Sequence, residues 1–224
     1  MDASHAQELI SATKDDDLAK VRMLLSEEPA PVRVLDEAGT SAVVLAVYHG
    51  KPHIADALVA KWKPLDIVEA TAVGDLALVS ELVSANRELA RTYSPDGFPL
   101  VALASTFGHL EVVKLLLSHG ADINAIATNG TGYTALTGAI SQRHSEIALL
   151  LLAHGARADH HYGPGWTPLH HAAMDGDLEV ATMLLDHGAE LNARNADGNT
   201  PLSLALDKQK TEVAQMLQAR GGVK

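Results

Sequence analysis

One pattern recurs in this chain about every 33 residues, and it limits the possible folds more than any other feature. "TPLHHAAMDGDLEVATMLLDHGAELNA" opens at Thr167, "TPLSLALDKQKTEVAQMLQARGG" at Thr200 and "TALTGAISQRHSEIALLLLAHGARAD" at Thr134, with steps of 33 residues. "PLVALASTFGHLEVVKLLLSHGADINA" opens at Pro99, 35 residues before Thr134, the two extra residues lying in "IATNGTGY". Fainter copies open at Leu65, Ser41 and Gln7, with steps of 34, 24 and 34. The chain is thus read as one domain, 1–224, of seven units at 7–40, 41–64, 65–98, 99–133, 134–166, 167–199 and 200–224. A unit this short cannot bury an apolar face alone, so neighbours must stack.

Each unit reads as a helix, a turn and a second helix. In the sixth, Thr167 is placed to cap a helix that Pro168 begins, since proline suits the first helical position. Ala172 and Ala173 allow close packing. Gly176 breaks the helix and Asp177 can cap the next. Leu178, Val180, Ala181, Leu184 and Leu185 give that helix an apolar face at helical spacing. Gly188, like Gly155 and Gly120, suits the left-handed residue after a helix. "NADGN" and "SPDGF" carry the Asp-Gly pair of tight turns.

TPLHHAA, then G-D-L-E-V and LLDHGAELNA, resembles the ankyrin repeat, clearly in the last four units and less so in the first three. The resemblance implies an all-α fold, an α-solenoid of stacked helix-turn-helix repeats with β-turn fingers. It implies that His170 bonds the backbone of its own or the adjacent loop. It also implies a concave face of fingers and first helices on which a partner protein binds. "KDDD" in the first unit and "DKQK" and "QAR" in the last read as polar caps, with no large portion missing. The 24-residue second unit departs from the pattern. Only "KWKP" separates Ala60 from Leu65, so a gap is expected in the inner surface, with Trp62 and Pro64 turning the chain into the next helix.

Composition excludes other classes. Net charge is −11, without the basic footprint of a nucleic-acid binder, and an acidic surface disfavours anionic membranes. There is no cysteine, hence no disulfide and no cysteine-held zinc. The N-terminus has no basic start before an apolar run, and no window reaches the ~18 apolar residues of a membrane helix. A cytoplasmic monomer without cofactor is expected. No nucleophile elbow, H-E-x-x-H helix or lysine-bearing phosphate loop occurs, so no enzymatic activity is expected.

The histidines divide in two. His119, His154 and His187 recur before a helix-ending glycine, where a cation suits the negative helix end. His160, His161 and His171, with Asp159, lack fixed metal-ligand spacing. A small-molecule or metal site in the His160–His171 region, or in the gap near Trp62, is the alternative to protein binding.

Rings are scarce: eight of 224 residues. Six of them, Tyr48, Phe98, Phe107, Tyr133, Tyr162 and Trp166, map to finger or inner-helix positions. Phe98, Tyr133, Trp166 and Asn199 precede the helix-opening residue in successive units, which predicts a ladder spaced by about 10 Å. Gln142, Met174 and Asp175 end first helices, and His161, Tyr162 and Arg194 are placed on finger tips. Exposed aromatics with Met and Arg are the material of interface hot spots. These twelve residues form the candidate partner-binding set, and stiffening of the fingers is the competing role for the rings.

Overall fold

A computed structural model describes residues 3–27 and 33–224. Among them are fourteen α-helices and no strand. Contacts cluster into two compact units, one ending at Gly97 and one from Phe98 to Lys224.

The first unit holds α1 (Ala3–Lys14), α2 (Leu18–Ser26), α3 (Ala42–Tyr48), α4 (Pro52–Lys61), α5 (Ile67–Val73) and α6 (Leu76–Ala85), then a short 3₁₀ turn at Arg87–Arg91. The inner helices α1, α3 and α5 pack in sequence, and α2 packs on α4. Leu9, Ile54 and Leu58 are fully buried in its core, as their helical spacing requires. "DDD" is used as a turn: Asp17 caps α2 by accepting from the Lys20 amide at 2.9 Å, and Asp16 pairs with Lys51 and His53.

The second unit holds α7 (Leu100–Thr106), α8 (Leu110–Ser118), α9 (Ala135–Ser141), α10 (Ser145–Ala153), α11 (Pro168–Asp175), α12 (Leu178–Asp186), α13 (Pro201–Asp207) and α14 (Thr211–Ala219). Odd-numbered helices pack on one another as an inner layer, and even-numbered ones form the outer layer. Leu116, Leu151, Leu184 and Leu217 recur one per pair with no exposure, which makes the apolar faces one continuous core. Gly120, Gly155 and Gly188 end α8, α10 and α12 with φ near +90°. Just before each, the histidine ring of His119, His154 or His187 places Nδ1 at 2.8–3.0 Å from the carbonyl four residues earlier, a second bond to an acceptor that already takes the same residue's backbone amide. No described helix is long and apolar enough to cross a membrane.

The short second repeat does not leave the expected gap. Trp62 is 8 % exposed and belongs to the core cluster of the first unit. The finger at Asp36–Thr40 meets the finger at Ser94–Gly97 directly: a methyl group on Gly39 would touch the Pro95 Cβ at 3.4 Å. The Tyr48 hydroxyl donates to Asp96 at 2.7 Å, and the Ser94 hydroxyl donates to its other oxygen. Arg33 crosses the same space to the start of α5, reaching Glu69 at 2.6 Å, Asp66 at 3.2 Å and the Pro64 carbonyl at 3.3 Å. With one finger missing, its neighbours close on each other.

Candidate functional site

The finger before α11 is short and tightly turned. Tyr162 and Trp166 exchange both backbone hydrogen bonds, at 2.9 and 3.0 Å, around Gly163-Pro164-Gly165. Both glycines have positive φ, which permits the tight return. This finger is tied on either side: the Gly163 amide donates to the Thr131 carbonyl, and the Ala196 amide donates to the Pro164 carbonyl, each at 2.9 Å. The His160 ring adds a bond to the Gly132 carbonyl at 2.7 Å.

The fingers carry a continuous row of rings. Phe98 meets Tyr133 edge-on at 6.3 Å, and Tyr133 meets Tyr162 at 5.3 Å. Tyr162 stacks on His171 at 5.7 Å, and His171 lies 4.7 Å from Trp166. Trp166 in turn lies 5.7 Å from His170. The rings therefore touch, where separate rungs a repeat apart were expected. The turn at 163–165 explains the difference, because it folds Tyr162 back into the space between Tyr133 and α11. Each such pair adds about 0.5–1.5 kcal/mol beyond burial.

Exposure differs along the set. Tyr162 was expected on an exposed finger tip, but it is 5 % exposed with its ring inside the row. Its hydroxyl is buried and has no hydrogen-bond partner among the described residues. Tyr48, Phe98, Phe107, Tyr133, Trp166, Met174, Asp175 and Asn199 are half-buried, and Gln142, His161 and Arg194 are exposed. The structure thus gathers Phe98, Tyr133, Tyr162 and Trp166 into one row. Phe107 meets His109 with ring centroids 6.5 Å apart. Arg194 is held by the Gly198 carbonyl at 2.7 Å and the Lys224 carbonyl at 2.9 Å.

The histidines of the opening helix have defined tasks. The Thr167 amide donates to His170 Nδ1 at 3.1 Å, so the other nitrogen carries the proton and donates to the Asn199 carbonyl at 3.0 Å. His170 thus bonds both its own helix start and the next finger. Burial pulls its pKa below the ordinary histidine value, and burial does the same to His171. His161 faces Glu190 at 3.9 Å on the surface. Among the described residues, no three His, Asp or Glu side chains are grouped to hold a metal ion.

Reasoning from the repeat missed the turn between α9 and α10. There Arg143 holds a left-handed conformation (φ 61°) that Gly108 and Gly176 hold in the flanking pairs. Its guanidinium reaches forward to the Asp175 carboxylate at 2.9 Å. An arginine at a glycine position was the available signal.

Comparison with known proteins agrees with this architecture. The family pattern described as ankyrin repeats (3 copies) matches residues 67–161 and 154–223. Mouse protein phosphatase 1 regulatory subunit 27 is 37 % identical over 86 residues, 38 % of this chain and 54 % of that protein. The Drosophila melanogaster NF-kappa-B inhibitor cactus is 32 % identical over 142 residues, 59 % of this chain and 27 % of its own. Human ankyrin repeat domain-containing protein 13B is 42 % identical over 60 residues, 27 % of this chain and 9 % of its own. The chain thus spans about half or less of the length of these curated relatives.

Proposed function

Since this chain belongs to the ankyrin-repeat family, we propose that it binds a partner protein on its fingers and inner helices and acts without chemistry of its own. The ring row from Phe98 to Trp166 carries this reading. It places half-buried aromatic faces in contact along consecutive fingers, in a chain with only eight aromatic residues. Rings already held by neighbours lose little conformational freedom on binding, which favours them as anchors. Phe107, Gln142, Met174, Asp175 and Asn199 extend the surface, with His161 and Arg194 at its rim. Tyr162 acts from beneath, fixing Tyr133 and His171. A cytoplasmic adaptor, scaffold or inhibitor role fits relatives whose names denote a phosphatase regulatory subunit and an NF-kappa-B inhibitor.

The triple change Trp166→Ala, Tyr133→Ala and Phe107→Ala tests this. Far-UV circular dichroism is expected to show retained helicity, while pull-down from the source cell loses the partner that the unaltered chain captures. Capture that survives the triple change in a folded protein overturns the assignment of this face.

A further inference from the structure

The junctions between helix pairs in the second unit follow a rule with one break. At α7–α8 against α9–α10, the His144 ring lies on Gly108, and a methyl group there would meet the ring at 2.7 Å. Where α11–α12 meets α13–α14, the stem of Lys210 lies on Gly176 in the same way, with its Cδ at 2.7 Å from such a methyl. In both cases the long side chain that opens an outer helix covers the glycine of the preceding turn.

Between α9–α10 and α11–α12 both partners are different. The turn residue is Arg143, and the residue opening α12 is the short Asp177. Arg143 reaches away to Asp175, and the Ser145 hydroxyl hydrogen-bonds the Asp177 carboxylate. What remains is a cleft of about 230 Å³, floored by Ala148, Ala172 and Gly176 and rimmed by Arg143, Asp175 and Asp177. One water needs only about 10–15 Å³ of such space. Two carboxylates face one guanidinium at the rim. The cleft also adjoins the ring row, since Asp175 and His171 lie four residues apart on one face of α11.

We propose that this cleft takes the side chain of a partner's lysine or arginine, the alkyl stem on the alanine floor and the cation between Asp175 and Asp177. The proposal rests on the reading of this region as a partner surface, and it adds the chemistry of one contact. Lys210 supplies the template at the next junction, where such a stem lies in the equivalent place. Charge complementarity decides between a basic and an apolar occupant, because the rim carries one more carboxylate than cation.

The test uses the full chain and no unknown partner. A ¹H–¹⁵N NMR titration with Nα-acetyl-lysine methylamide is expected to give saturable shifts at the amides of residues 143–148 and 175–180. The norleucine analogue should leave them in place. Asp177→Lys, which copies the neighbouring junction, is expected to abolish the shifts. Asp177→Asn, which keeps a helix-capping oxygen but removes the charge, should weaken binding about tenfold if the carboxylate contributes one charged contact. Absence of saturable shifts, equal shifts with norleucine, or full binding by the folded variants would overturn the proposal. Each of those results leaves the ring-row capture experiment to stand or fall by itself.

Discussion

His170 sets a limit on the acidity this chain tolerates. Its Nδ1 accepts from Thr167 and its Nε2 donates to Asn199, and only a neutral ring can do both. Burial depresses its pKa in the folded state, so the unfolded chain binds the proton first as pH falls. Stability is expected to be level above about pH 6.5 and to fall below it until the folded ring itself titrates. His171, depressed by burial between Tyr162 and Trp166, adds in the same direction. Urea midpoints at pH 7.5 and 5.5 check this, and His171→Phe should narrow the difference. Glu69 is buried too, but its shift has the opposite sign. Burial raises its pKa, with the Asp66 charge adding to the rise, while Arg33 opposes it from 2.6 Å. Arg33→Ala should cost about 2 kcal/mol, because it takes a charged hydrogen bond from a carboxylate that is 1 % exposed. A urea series showing no loss would remove Arg33 from the account of the short repeat.

At the scale of elements, the finger before α11 shows where glycine is required and where it is only preferred. Gly132 has φ +74°, and a methyl there would press on Tyr162 at 3.2 Å. Gly155 has φ +91° with nothing nearby. Both Ala variants incur the left-handed cost of about 1–2 kcal/mol. Only Gly132→Ala should also disturb the ring row, seen as a changed near-UV circular dichroism spectrum. Helix identity and the caps at Ser41, Thr134 and Thr200 were legible in the repeat, because caps and apolar spacing are local properties. The placement of Tyr162 was not legible. Its ring direction depends on a turn through 163–165 that closes by long-range bonds to Thr131 and Ala196. The cleft beside Asp175 was half legible, since alignment shows Arg143 at a glycine position but not the space it leaves.

Across the whole molecule, nearest-neighbour stacking governs how a local loss spreads. Leu184, fully buried in the second unit, should cost about 3 kcal/mol when changed to Ala. Hydrogen exchange is expected to quicken in α10, α12 and α14, which pack on it in series, more than in the unit ending at Gly97. Uniform quickening through both units would contradict this. The short second repeat acts on the chain as a change of phase. Helix pairs advance past Ser41–Leu65, but the fingers do not, so the two structural rows fall out of step there. A template of constant 33-residue pitch, in register at residue 67, is out of register at Ser41, and the family match begins at residue 67. Inserting one finger between Trp62 and Leu65 would restore the pitch and separate Tyr48 from Asp96 and Arg33 from Glu69. The missing finger is thus a frame shift in three dimensions, and the contacts across it keep the two reading frames joined.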